Sequence, residues 1–429
     1  MRTIGSMMMA MSLTAAAAEP SPVRKWRSTN GHETQASAIA ATAAAVTLEL
    51  SSGKKVSIPL EKLLPEDRDF ALKHFGVVPP KPGDVQRSTD PPLPKEGLAH
   101  PLGEISGPVE SAPGSHYHIY LPKSLRVGRK APVLHFNGSG GGGPGEMKRY
   151  IAGCDRFGWI LVASVESHNR THGEINLRHA ANNIKSLRAN PLVDPKRIYF
   201  TGQSGGGAMS WWNTVNLDGA GTMPAIGYIP PEATVRKGHH FILGGASDYN
   251  RYHGGRAATQ VGKNGFYRIY PGGHSFPKDH AILHEGIGWL TGKYLAGNKA
   301  EGDLAGERLD YEAAMIDWIR ELSAGEPWLA CHLGEMLVDT YGISGRNGDV
   351  LKGILSELEK SPQNVAFAEG VRAIHEFGVK DYGSYSFTGD ARGRNNDTHV
   401  RALQKISEKY AGIVFVEDTL REMATPTTK

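Results

Sequence analysis

The sequence predicts an α/β protein: a mainly parallel sheet covered by helices on both faces, with a small β-unit before it and a helical region after it. Three observations predict this. Between residues 114 and 298, near-continuous apolar runs alternate with helix-length segments, as strands buried on both faces do. Residues 19–76 instead carry short alternating runs joined by turn residues. Beyond about residue 299, apolar side chains recur at helical spacing.

With 429 residues the chain is long enough for two or three folding units. Its hydrophobic content of 39%, charged content of 21% and net charge of +4 are those of an ordinary globular chain. The cations are spread rather than striped, so neither a nucleic acid nor an anionic membrane is expected as partner. The 2 cysteines, Cys154 and Cys331, cannot build a metal site and read as small buried apolar residues. Residues 1–18 read as a signal peptide, with Arg2 before a Met- and Ala-rich run that ends in Ala16-Ala17-Ala18; export to the periplasm or beyond the cell is the expectation. No later run reaches the roughly 18 apolar residues of a membrane span.

The first unit opens with Arg24 to Arg27 and an Asn30-Gly31 turn, a hairpin signal. Two more strands follow, Ala45 to Leu50 and Lys55 to Leu60, joined across Ser51-Ser52-Gly53-Lys54, and a turn with a short helix closes the unit at Leu63 to Phe70. Trp26, Val46-Thr47-Leu48, Gly53-Lys54-Lys55-Val56-Ser57-Ile58-Pro59-Leu60 and the Leu63 to Asp67 spacing together resemble the Sla-one homology domain, over about fifty residues. The resemblance implies a small Src-homology-three-like barrel and a peptide or protein partner; a spacer that binds nothing stays an open alternative. Residues 77–113, with Val78-Pro79-Pro80-Lys81-Pro82-Gly83 and Asp90-Pro91-Pro92-Leu93-Pro94, read as an extended linker.

Within 114–298 the strand candidates are His116 to Tyr120, Pro132 to Phe136, Trp159 to Ser164, Arg197 to Thr201, His240 to Leu243 and Phe266 to Tyr270. In 299–429, Ala313, Ile316, Ile319 and Leu322, then Leu351, Ile354, Leu355 and Leu358, then Leu403, Ile406 and Tyr410 mark helices. No repeat of fixed period accompanies them.

The chemistry concentrates at the ends of those strands. Arg197 to Thr201 runs into Gly202-Gln203-Ser204-Gly205-Gly206 and then a helical segment, the strand, turn and helix setting in which G-x-S-x-G exposes a nucleophilic serine. His240 to Leu243 leads to Asp248, and Phe266 to Tyr270 leads to His274. Serine is a poor nucleophile until a base takes its proton, so Ser204 requires His274, and Asp248 would orient the imidazole and stabilise the imidazolium. Asp279, five residues past His274, is a weaker rival for the acid. The oxyanion needs fixed N–H donors; Gly205 follows the nucleophile, and Ser139 lies in the glycine-rich loop Asn137 to Gly143, where its neighbours Gly138 and Gly140 could substitute.

Residues 114–298 resemble the α/β-hydrolase superfamily, in its polyhydroxybutyrate-depolymerase-like and feruloyl-esterase-like branch, through Val193 to Gly207, the Asn137-Gly138 loop and Tyr270-Pro271-Gly272-Gly273-His274. The resemblance implies a carboxylic ester substrate, small or polymeric, an acyl-enzyme and no cofactor. Asn137-Gly138 stands where the family carries His-Gly, and the stretch from Trp212 to His240 is short for a lid, which implies an open site. A serine peptidase uses the same residues, and an inert envelope scaffold is the alternative from another class. His168, His172, Glu166 and Glu174 have a spacing from which a metal site can be drawn, but they fit a polar loop better. Gly140 to Gly143 lacks the Lys-Ser/Thr ending of a phosphate loop, and Trp211 and Trp212 are expected to pack behind the nucleophile helix.

Overall fold

The computed structural model describes residues 19–41, 45–75, 84–230, 233, 237–298, 301–383 and 397–424; the expected signal peptide lies outside them. They fall in two compact units, within Met1–Asp84 and Val85–Lys429.

In the first unit, β1 (Arg24–Arg27), β2 (Glu33–Ala41), β3 (Ala45–Leu50) and β4 (Lys55–Pro59) form an antiparallel sheet in sequence order. Trp26, Ala38, Val46 and Leu48 are buried on one face, against the helix Pro65–His74 through Ala71 and Leu72. The expected small barrel is not seen: among the described residues β4 does not pair with β1, and the sheet is open. The chain leaves β4 through a short 3-10 turn, Leu60–Lys62, and it is Leu63 and Leu64 that bond back to Ser28 and Arg27. Buried Asp67 fixes this return by accepting from Arg24 and from both the backbone and side chain of Arg27.

The second unit is built on an eight-stranded sheet. Its strands are β5 (Ile105–Ala112), β6 (Ser115–Tyr120), β7 (Ala131–Asn137), β8 (Ile160–Ser164), β9 (Val193–Gln203), β10 (Gly221–Ala225), β11 (His239–Gly245) and β12 (Gly265–Tyr270). The spatial order is β12-β11-β10-β9-β7-β8-β6-β5. β8, β7, β9, β10, β11 and β12 run parallel, whereas β5 and β6 are antiparallel additions at one edge. Side chains alternate between faces as strand pleating requires. Leu134, Phe136, Leu161, Tyr199, Phe241 and Tyr270 join one apolar cluster, while Val133, Ile160, Val162, Ile198 and Phe200 join another on the opposite face.

Packing within the second unit runs across two of the expected boundaries. The stretch given to a linker lies partly outside the described residues, at 77–83, but from Val85 onward it belongs to the second unit. Val85 packs on the main core, the Gln86 backbone bonds to Asn347, and residues 105–112 are β5. Pro108 and Gly107 are tolerated there because the strand is an edge, with a register shift between Ser106 and Val109. β10 also escapes the apolar-run pattern, being five residues long with Pro224 inside it.

The C-terminal helices are likewise part of this unit rather than a separate region. Ala305–Ser323, Pro327–Tyr341 and Gly345–Leu358 share the cluster that covers one sheet face. Pro362–Phe377 and Val414–Ala424 cover the other, against Ile242, Tyr267 and Ile269. Cys154 and Cys331 are buried, unbridged members of the first of these clusters.

A buried ionic cluster ties helices to sheet. Arg268 on β12 donates to both oxygens of Glu285 at 3.1 Å, and Glu285 lies 3.0 Å from His332 Nε2. Burial pushes the Glu285 carboxyl up, but Arg268 and His332 outweigh it and hold the group below its ordinary value. Truncating Glu285 would strand a guanidinium that is 2% exposed. Glu285→Ala is expected to cost about 3–5 kcal/mol in denaturant or thermal melts, and the paired change Arg268→Met with Glu285→Leu much less.

Candidate active site

A parallel sheet delivers every strand-to-helix loop to one edge. The ends of β7, β8, β9, β11 and β12 therefore place residues 138–143, 165–172, 204–206, 246–250 and 271–276 side by side. Ser204 sits between β9 and the helix Gly205–Asn216, with φ 54° and ψ −118°, a conformation a residue bearing a Cβ adopts only under strain. Gly202 and Gly206 make the turn fit: a Cβ on either would stand 2.3 Å or 2.0 Å from the Asn137 carbonyl oxygen. The Ser204 N–H donates to Ala225 O at 3.0 Å, which fixes the turn to β10.

The three residues expected to act together are in contact. His274 Nε2 is 2.8 Å from Ser204 Oγ, and His274 Nδ1 is 3.0 Å from Asp248 Oδ1. An imidazole that donates from Nδ1 to Asp248 would present the lone pair of Nε2 to Ser204. Asp248 is 1% exposed. Burial pushes its carboxyl up, opposed by the Asn250 N–H and by His274. Asp279 is not at the imidazole; it accepts from Ala281 N at 2.8 Å, at the start of the helix Ala281–Gly297.

The N–H groups of Ser139 and Gly205 have no protein acceptor among the described residues. Their loops touch, since a Cβ on Gly206 would stand 3.4 Å from Ser139 N. Asn137, where a histidine was the family expectation, is a strut. Its Nδ2 donates to Thr201 O at 3.2 Å and its Oδ1 accepts from Asn213 Nδ2 at 3.0 Å, joining the β7 loop to the strand and helix on either side of Ser204. Trp211, on that helix, is buried beside His240 of β11, with ring centroids 5.0 Å apart.

The polar loop after β8 is internally bonded. His168 Nδ1 accepts from Arg170 N, His172 Nδ1 from Glu174 N, and Glu166 pairs with His116. Asn169 from this loop reaches the residue after Ser204, its Oδ1 standing 2.0 Å from where a Gly205 Cβ would be. Among the described residues no group of three or more His, Cys, Asp or Glu is placed to hold a metal ion.

One residue at the site has no signal in the sequence. Tyr249 follows Asp248 and stacks on His274 with ring centroids 4.5 Å apart and planes 21° from parallel. Its hydroxyl is 3.0 Å from His274 Nε2, the same nitrogen that Ser204 Oγ approaches.

No protein-family model matches the chain, and no curated protein matches it by sequence. Among solved structures it is similar to an esterase from the Planctomycetes species Thermogutta terrifontis, with 14% identity, TM-score 0.36, and 45% of this chain and 93% of that chain covered. An acetyl xylan esterase from Aspergillus awamori gives 15%, 0.36, 43% and 99%, and a dipeptidyl aminopeptidase IV from Bacteroides ovatus gives 17%, 0.36, 63% and 43%. These overlaps are partial.

If Tyr249 competes with Ser204 for the imidazole, Tyr249→Phe keeps the stacked ring and removes the competitor. Its rate of reaction with a serine-directed phosphonate is expected to rise by about two- to tenfold, the worth of one net hydrogen bond. Tyr249→Ala, which also uncovers the imidazole, is expected to fall below wild type in the same assay.

Proposed function

We propose that this chain is a serine hydrolase that cleaves carboxylic esters through an acyl-enzyme. The observation that carries the reading is the unbroken line from Ser204 Oγ through His274, 2.8 Å on one side, to Asp248, 3.0 Å on the other. It is supported by the strained turn that exposes Ser204 and by the two unaccepted N–H groups beside it.

In the proposed reaction, Ser204 Oγ attacks the ester carbonyl while its proton passes to His274 Nε2. Asp248 holds the imidazole by Nδ1 and stabilises the imidazolium. The carbonyl oxygen, now an oxyanion, accepts from Ser139 N–H and Gly205 N–H; losing one such donor costs on the order of 100- to 1000-fold in rate. His274 then returns the proton to the leaving alcohol, the ester C–O bond breaks, and Ser204 is left acylated. Water, deprotonated by the same imidazole, attacks the acyl carbon, releasing the acid and restoring the serine. Ester over peptide rests on the resemblance of the Val193 to Gly207 and Tyr270 to His274 segments to the depolymerase and esterase branch.

A panel of nitrophenyl esters of increasing acyl length, feruloyl and acetylated sugars, and nitroanilide amides of matched acyl groups tests this. Ester hydrolysis is expected to exceed amide hydrolysis and to fall by on the order of 10⁶-fold in Ser204→Ala. Faster turnover of the matched amides would make it a peptidase, and a folded protein that turns over neither would make it a scaffold.

A further inference from the structure

The helix Val414–Ala424 buries Val416, Leu420 and Met423 in the cluster that holds Ile242 of β11 and Tyr267 and Ile269 of β12. That packing brings Glu422 to the loops leaving those two strands. One oxygen, Glu422 Oε2, accepts from the Ser247 hydroxyl at 3.0 Å and from the Gly272 N–H at 2.6 Å. Ser247 immediately precedes Asp248, and Gly272 lies two residues before His274.

The two loops are also bonded to each other, Ala246 N to Tyr270 O and Ser247 N to Gly272 O, both at 2.9 Å. Gly272 adopts φ 144°, backbone open to glycine and costly to other residues. Its N–H points out of the inter-strand ladder and meets the carboxylate instead. Hydrogen bonds to a charged acceptor are roughly twice as strong as neutral ones. A single side chain, 150 residues further along the chain from Gly272, thus closes the end of the β11 and β12 ladder just before both residues of the acid and base pair.

We infer that Glu422 is a positioning residue for the Asp248 and His274 pair, holding their two loops in register from the C-terminal helix. This rests on the serine hydrolase reading. Glu422 touches no reacting atom; it acts through the loop geometry that keeps Asp248 Oδ1 on Nδ1 and Nε2 on Ser204. Displacements of about 1 Å far from the chemistry can cost as much as 100-fold in rate, so releasing the clamp should slow turnover without weakening the binding of an ester held elsewhere in the site.

The test measures kcat and KM for nitrophenyl acetate on the full chain, with thermal melts, for Glu422→Ala, Glu422→Gln, Ser247→Ala and, as reference, Ser204→Ala. Glu422→Ala is expected to lower kcat by roughly 10- to 100-fold with KM within about twofold. Glu422→Gln, whose amide oxygen can accept both bonds, should recover most of the lost rate. Ser247→Ala removes one arm and leaves the helix in place; it should show a smaller fall in kcat with an unchanged melting temperature, and it decides the matter should Glu422→Ala not fold.

A folded Glu422→Ala or Ser247→Ala with wild-type kcat would overturn the inference, as would a Glu422→Gln no better than alanine. Turnover that survives Ser204→Ala would instead overturn the reading on which it rests, so the two failures are told apart.

Discussion

Everything at the site depends on the backbone of Ser204 being held at a conformation it would not choose. At φ 54° the residue turns from strand to helix within one step, and strain of this kind costs on the order of 1–3 kcal/mol. The surroundings over-determine it. Gly202 and Gly206 press on the Asn137 carbonyl with no room for a side chain, the Ser204 amide is bonded to β10, and the Asn137 side chain reaches both Thr201 and Asn213. Release of any of these contacts would let the turn relax and carry the hydroxyl away from the imidazole.

The sheet supplies the rest. Because β7, β9, β11 and β12 are parallel, the glycine-rich loop, the serine, the carboxylate and the imidazole all emerge at one edge, although they are spread over more than a hundred residues of chain. The helical segments after residue 299 brace this edge and the face behind it. Arg268, Glu285 and His332 join β12 to two helices inside the core, and Glu422 meets the two loops at the rim. The C-terminal helices thus pack against the strands and loops that carry the site.

What the amino-acid sequence made legible has a common physical basis. Ser204, Asp248 and His274 each stand three to five residues past a short, largely apolar run, and a run of that kind betrays a strand buried on both faces. β5 and β10 lack that signature: one is an edge strand broken by Gly107 and Pro108, and the other is five residues with a proline. The proline-rich stretch around residue 90 looked unable to pack because its partners, Asp310 and Asn347 among them, lie more than two hundred residues away. The open first sheet had the same cause, since closure depends on whether β4 or the turn after it reaches β1. Tyr249 and Glu422 have no local pattern at all; their positions follow from how loops and helices meet in three dimensions, which spacing along the chain does not encode.

The proposed hydrolysis turns on Ser204 being a nucleophile activated by His274. Intact-mass and peptide-mapping mass spectrometry after reaction with a fluorophosphonate tests it most directly. One adduct per chain is expected on the peptide containing Ser204, its formation slowed strongly in His274→Ala and absent in Ser204→Ala. An adduct on another residue, or none on folded wild-type protein, would contradict it.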